Sequence, residues 1–401
     1  MYVRLTSQGA LVLLAAALLA GCGAPSQTSP AGLGAASNAY AFQPISVADI
    51  EKSRRSPTET LELEIAGRIP SPLPREVLQR ILKQIESGHR PRVRFDRTGK
   101  VGLWAIEGFN NLIFGQNAKG DKTVTVINTL NNGCDEPFGS KVDHAENLWT
   151  ACGSYDSGNG AIQEYEPGSN TLAATFTEPE NCGSGCTREA NLLDVAIDTN
   201  GHVFGANPGS EICNPTCETS GLLVWWNSND PNSPTGINDP DLTNADYIDV
   251  DTKGNLYVEG FGCIGSNCGA LLDEIGNATS KSPAITNLIP PSSGATDGLY
   301  ISNDGKVLNL IDGSTRTIAQ YALPWISGES AFNTLGPTEN NYFNDGYPID
   351  GGFGLKDKLM AIGDAGGWID IGKVSKNRWS MGGNVNLYPG LVDAAYVPSD
   401  K

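Results

Sequence analysis

One short turn recurs along this chain and limits what it can fold into. Asp96-Arg97-Thr98-Gly99, Asp143-His144-Ala145-Glu146, Asp198-Thr199-Asn200-Gly201, Asp251-Thr252-Lys253-Gly254 and Ser302-Asn303-Asp304-Gly305 share its pattern. The opening Asp or Ser accepts hydrogen bonds from the backbone that follows it. The closing residue, Gly in four of the five, takes the left-handed φ that turns a hairpin. Weaker forms end at Asp357-Lys358 and Asp400-Lys401. The closing positions are 99, 146, 201, 254, 305, 357 and 400, spaced 47, 55, 53, 51, 52 and 43 residues apart. Apolar strands flank the turns: Tyr247 to Asp251 before and Asn255 to Val258 after, Val195 to Ile197 with Val203-Phe204, Leu299 to Ile301 with Val307-Leu308. A third strand follows at Ala161 to Tyr165, Leu222 to Trp226 and Ala270 to Ile275. A unit of about 50 residues holding three or four strands is the signature of a β-propeller, and six intervals predict six blades. A seventh blade is the alternative, but the residues left over supply one strand only. That strand, Asp393 to Val397, is expected to close the ring against the first blade and remove an exposed edge.

Composition agrees with an all-β chain. Its 48 Gly disfavour a helical bundle, because Gly weakens helix interiors. The 27 Lys+Arg against 45 Asp+Glu, a net charge of −18, argue against a nucleic-acid partner. The charge is unevenly placed. Residues 51–102 hold 12 Lys+Arg and 7 Asp+Glu, whereas residues 103–401 hold 14 and 37.

The D-x-x-G-N/H turns followed by Leu256-Tyr257-Val258 or Val203-Phe204 resemble those of NHL-repeat and SMP-30-like six-bladed propellers. The resemblance covers roughly residues 92–401 and speaks to fold more than to activity. Asn147-Leu148-Trp149 and Ile162 to Tyr165 look like a streptogramin-lyase-type blade.

The amino terminus points to a compartment. Arg4 precedes an apolar run from Ala10 to Ala20, a length suited to a signal-peptide core rather than a membrane span. It ends in Leu19-Ala20-Gly21-Cys22, which resembles the lipobox of bacterial lipoproteins. That resemblance implies cleavage before Cys22, lipid on its sulfur and a membrane partner in the bacterial cell envelope, at the outer membrane or cell surface. The other reading is an ordinary secretory signal with an incidental Cys. The expected organisation is a signal peptide over 1–21, a flexible tether over 22–50, a basic helical extension over 51–91 and the propeller over 92–401. Pro74-Arg75-Glu76 opens the extension's helix, with Val77, Leu78, Ile81, Leu82 and Ile85 on one face and Gly88 as its stop.

An exported chain keeps its cysteines in an oxidising space. Eight remain: Cys134, Cys152, Cys182, Cys186, Cys213, Cys217, Cys263 and Cys268. Zinc held by the two C-x-x-x-C pairs is the alternative to disulfides. In a propeller blade, strand A begins and strand B ends on the same face. All eight cysteines map to loops of that face. The expected pairs are Cys134–Cys152, Cys182–Cys186, Cys213–Cys217 and Cys263–Cys268. Such staples serve either recognition or loop stability.

Carboxylates collect on the same face. Asp194, Asp246, Asp297, Asp350 and Asp393 are expected near the starts of inner strands, and Glu107, Glu259 and Asp364, with Asn207, at the ends of strands B. Converging carboxylates favour Ca²⁺ or Mg²⁺, and in SMP-30-like enzymes a divalent ion at this place activates substrate. The other reading is that these Asp residues hydrogen-bond backbone amides as the chain enters each inner strand. Among three His, His144 and His202 fall at A–B turns, away from that mouth, and His89 precedes the propeller. Streptogramin lyases and paraoxonase-type lactonases are expected to use a mouth His, and none maps there. No G-x-S-x-G elbow, P-loop or strand-linked G-x-G-x-x-G is present. The sequence thus reads as a lipid-anchored binding or scaffolding propeller with a protein or small-molecule ligand. A metal-dependent hydrolase or lactonase is the competing class.

Overall fold

The computed structural model describes residues 65–66, 75–86 and, with breaks in the loops, 98–397. Cys22, the expected signal peptide and tether, and Asp96 lie outside the described residues.

The recurring turn is built as its residue types require. Asp143 Oδ1 accepts from the Ala145 and Asn147 amides at 2.8 and 2.9 Å, and its Oδ2 from Asn147 Nδ2 and Trp149 Nε1, both at 3.0 Å. Asp198 does the same with the amides of Asn200 and His202, and its Oδ2 lies 2.6 Å from His202 Nδ1. Asp251 takes the amides of Lys253 and Asn255 and the side-chain amide of Asn255. Ser302 Oγ accepts from Lys306 N and Val307 N. The closing residue sits at positive φ each time: +70° at Glu146, +81° at Gly201, +82° at Gly254 and +69° at Gly305. Glu146 shows that the Asp cage can hold a non-Gly residue in the left-handed region.

Each turn joins the two inner strands of a four-stranded antiparallel blade. Blade 1 contains β1 (Leu103–Glu107), β2 (Leu112–Gln116) and β3 (Thr123–Asn128). Blade 2 is β4 (Cys134–Val142), β5 (Leu148–Tyr155), β6 (Ala161–Tyr165) and β7 (Leu172–Thr177). A separate strand, β8 (Cys186–Glu189), precedes blade 3. Blade 3 is β9 (Asp194–Ile197), β10 (His202–Ala206), β12 (Leu223–Asn227) and β13 (Asp230–Ile237). Between β10 and β12 the chain forms β11 (Ser210–Cys213), which pairs with β8 as a two-stranded ribbon. Blade 4 is β14 (Leu242–Val250), β15 (Leu256–Ile264), β16 (Asn267–Gly276) and β17 (Ala284–Ser292). Blade 5 is β18 (Gly298–Ile301), β19 (Val307–Asp312), β20 (Thr317–Ala322) and β21 (Asn333–Leu335). Blade 6 is β22 (Pro348–Gly354), β23 (Leu359–Asp364), β24 (Trp368–Ser375) and β25 (Arg378–Asn386).

The last strand, β26 (Leu391–Tyr396), pairs antiparallel with β1 and supplies blade 1 with its innermost strand. The ring is therefore a six-bladed β-propeller closed by its two ends. Apolar layers fill the gaps between blades. Trp149, Phe176 and Trp226 pack between blades 2 and 3, with Phe176 5.4 Å from one indole and 6.1 Å from the other. Phe204, Leu223, Leu256 and Ile275 fill the gap between blades 3 and 4. The helix α1 (Arg75–Glu86) buries Leu78 and Ile81 in the cluster that also holds Val101 and Trp104, with Leu82 half-buried beside it.

Replacing the turn carboxylate is expected to loosen one blade without changing the fold. Asp251→Ala removes three hydrogen bonds and is expected to lower stability by about 1–3 kcal/mol, seen as a lower urea midpoint at unchanged slope. An unchanged midpoint would show that the turn holds without its side chain.

Candidate functional site

The inner strands bring four carboxyl groups and one ammonium into the middle of the ring. Asp194, Asp249, Asp350 and Asp393 are all buried. Each first bends back on its own strand. Asp194 Oδ1 accepts from Val195 N at 2.7 Å, Asp249 from Val250 N at 2.8 Å, Asp350 from Gly351 N at 2.8 Å and Asp393 from Ala394 N at 2.6 Å. In Asp194, Asp249 and Asp393 the second oxygen then reaches the next blade. Asp194 Oδ2 accepts from Ile248 N of blade 4 at 2.7 Å, and Asp249 Oδ2 from Ile301 N of blade 5 at 2.6 Å. Asp393 Oδ2 accepts from Ser140 Oγ of blade 2. These carboxylates latch blade 1 to blade 2, blade 3 to blade 4, and blade 4 to blade 5. They satisfy amides on the inner edge, which has no further strand to pair with.

Lys141 spans a longer distance. It lies on β4 of blade 2 and pairs with Asp249 on β14 of blade 4, so it reaches past blade 3. The matching residue of blade 3, two before its turn Asp, is the small Ala196. Close approach also fixes Gly139. A Cβ there would lie 2.0 Å from Asp194 Oδ1, and the Gly139 amide donates to Leu193 O at 2.7 Å.

Charge in this cluster is set by burial. Burial pushes the Asp194 and Asp350 carboxyls well above the ordinary carboxylate range; repulsion from Asp393 pushes both the same way, with Asp249 adding at Asp194 and Asp194 adding at Asp350. Burial also raises Asp393, to about 6, against the pull of its Ser140 and Ala394 hydrogen bonds and of Lys141. For Lys141 burial acts downward, but Asp249, with Asp194 and Asp350 behind it, outweighs burial and raises it. Lys141 is therefore an ammonium and not an amine nucleophile.

A divalent ion would need several of these oxygens aimed at one point, about 2.0–2.6 Å from it. The latched carboxylates are instead directed at amides of neighbouring blades. Among the described residues, no group of three or more His, Cys, Asp or Glu is placed to hold a metal. Among the described residues, the axial carboxylates do not converge as Ca²⁺ or Mg²⁺ requires.

The structure brings together three of the expected mouth residues, Asp194, Asp350 and Asp393, and adds Ser140, Lys141 and Asp249. Glu107 ends β1, Asp364 ends β23 and Asn207 follows β10, all buried as strand-B ends. Two placements differ from expectation. Glu259 sits inside β15, which continues to Ile264, because β15 and β16 extend their hairpin outward to Cys263 and Cys268. Asp246 is not at a strand start. β14 begins at Leu242, and Asp246 lies at a bulge between Ala245 and Tyr247, its carboxylate bonded by Asn244 Nδ2 at 3.1 and 3.2 Å. Asp249, three residues on, takes the axial place instead. Asp297 lies outside the described residues. Disulfides join Cys134 to Cys152 and Cys263 to Cys268, with Cα atoms 5.5 and 4.1 Å apart. Cys182 and Cys217, and with them the expected Cys182–Cys186 and Cys213–Cys217 pairs, lie outside the described residues.

A second acidic pair lies between blades 3 and 4. Asp273 of β16 and Asp239, before β14, are both buried. Burial and the neighbouring Asp239 raise the Asp273 carboxyl to about 7, and burial raises Asp239 as well. Asn287 Nδ2 donates to Asp273 Oδ1 at 2.8 Å, and the Asp241 amide to Asp239 Oδ1 at 3.0 Å.

No protein-family model matches the chain, and no curated protein matches it significantly. Among solved structures, a luciferin-regenerating enzyme is similar over 64% of this chain and 78% of its own, at 15% identity and a TM-score of 0.44. That likeness is too slight to speak to the chemistry of this chain.

The Asp239–Asp273 pair has a signed pH dependence. A carboxyl raised in the folded chain stabilises it fully below the unfolded pKa, near 4, and that contribution is lost as pH rises through about 7. Asp393, also raised, acts in the same direction. Asp273→Asn is expected to be more stable than the parent at pH 8 by about 2 kcal/mol and to lose that advantage at pH 4. Equal differences at both pH values would contradict a proton held by Asp273.

Proposed function

We propose that the chain is a lipid-anchored, extracytoplasmic β-propeller that binds or scaffolds a protein or small-molecule ligand through its disulfide-tied loop face. The observation that supports this most is where the covalent staples fall. Cys134 opens inner strand β4 and Cys152 lies on β5, while Cys263 and Cys268 face each other at the tip of the β15–β16 hairpin. Both bonds tie loops of the face where strands A begin and strands B end. Rigid loops on a closed scaffold lose little entropy when they bind a ligand. The buried axial carboxylates, already bonded to amides and Lys141, act as structure in this reading and leave recognition to the loops. The acidic balance of residues 103–401 favours a cationic ligand or a basic patch on a partner.

Anchoring rests on the lipobox-like Leu19-Ala20-Gly21-Cys22. In a bacterial host the full chain is expected to incorporate labelled palmitate and to sediment with membranes. Cys22→Ser is expected to abolish the label and to shift most of the protein to the soluble fraction. Palmitate incorporation by the Cys22→Ser chain, or none by the parent, would rule the anchor out.

A further inference from the structure

We propose that Cys186 and Cys213 form a third disulfide, which crosses the ribbon of β8 and β11. The ribbon belongs to no blade. It pairs the segment that leads into inner strand β9 with the segment that leaves strand β10, and its register sets Cys186 opposite Cys213, Glu189 opposite Ser210. Directly opposed residues of antiparallel strands have Cα atoms about 4.5 or 5.5 Å apart, within the range a disulfide spans.

Two bonds elsewhere in the molecule show the same relations. Cys263 and Cys268 are directly opposed in the β15–β16 ladder and are bonded. Cys134 and Cys152 join the lead-in of inner strand β4 to the strand that follows it, within blade 2. Cys186–Cys213 combines both relations: an opposed cross-strand pair, joining the lead-in and exit of one blade. The two C-x-x-x-C spacings favour local pairs only when the chain is read as a line. Cys186–Cys213 closes a longer loop, so by the chain-entropy model it restricts the unfolded chain more than either four-residue link does.

Formation is a thiol–disulfide exchange. One thiolate attacks the disulfide of an oxidant such as glutathione disulfide, giving a mixed disulfide and one released thiol. The second cysteine thiolate then displaces the remaining half. The new S–S bond and two reduced thiols of the oxidant are the products, with two electrons passed to the oxidant and two protons lost from the cysteines. No lipid anchor is required, so this inference stands apart from the proposed function.

The purified chain, oxidised in a glutathione buffer, alkylated and digested with trypsin without reduction, decides the matter. Cys182 and Cys186 fall on peptide 142–188, Cys213 and Cys217 on peptide 189–253. The two peptides are expected to run as one linked species that separates on reduction. Backbone fragmentation within 183–185 and within 214–216 is expected to show Cys186 joined to Cys213. The Cys134–Cys152 link, which ties peptide 142–188 to peptide 123–141, serves as internal control. Unlinked peptides would overturn the proposal, because local pairs or free thiols leave them separate; so would fragments that attach Cys213 to Cys182. In the double variant Cys182→Ser/Cys217→Ser the link between the two peptides is expected to persist, and its loss, with two titratable thiols, would also overturn the proposal.

Discussion

A propeller has an inner edge that no further strand can cover, and buried Asp side chains cover it here. Inner strands present amides such as those of Ile248 and Ile301 toward the neighbouring blade, and an unpaired buried amide is costly. Asp194, Asp249 and Asp393 place one oxygen on their own strand and the other on the next blade. That solution introduces a second problem, since buried carboxylates repel one another and resist ionisation. Lys141 relieves part of it, and raised carboxyl pKa values relieve part of the rest. The apolar layers between blades supply bulk burial, but the axis is ordered by this exchange of amide, carboxylate and ammonium.

Two of the acids that invite a metal-site reading, Asp194 and Asp393, instead bond to groups of a neighbouring blade. A ring of Asp at a propeller mouth is ambiguous in sequence, because a metal ligand and an amide latch use the same residue type. Direction separates them: ligands converge, latches diverge to neighbouring strands. The pairing of Asp194 with Ile248 N and of Asp249 with Ile301 N assigns these residues to latching. The Cys134–Cys152 and Cys263–Cys268 bonds lie toward the same face of the ring.

Much of the ring was legible because its turn is chemically demanding. Asp143, Asp198 and Asp251 each bind two downstream amides, and few residue types do so, which kept the motif regular enough to count. The closing strand was legible from the one strand left over after the sixth unit. Lys141 and Asp249 were not. They sit two residues before a turn Asp, inside strands that otherwise read as ordinary alternation, and their partnership links blades 2 and 4 across 108 residues. Asp246 was misplaced because a bulge shifts where β14 begins, and a bulge leaves little trace in composition. The Cys186–Cys213 register was hidden for a related reason: β8 and β11 pair outside the repeating unit, and spacing alone favours the nearer cysteine.

The balance at the axis is best tested by a double-mutant cycle on Lys141 and Asp249, read by urea unfolding near pH 7. Lys141→Met leaves Asp249 without its cation and is expected to lose about 3–5 kcal/mol, whereas Lys141→Met combined with Asp249→Asn is expected to recover a large part of that loss. Losses that simply add, or a Lys141→Met chain as stable as the parent, would contradict the claim that this pair holds the buried charge of the ring.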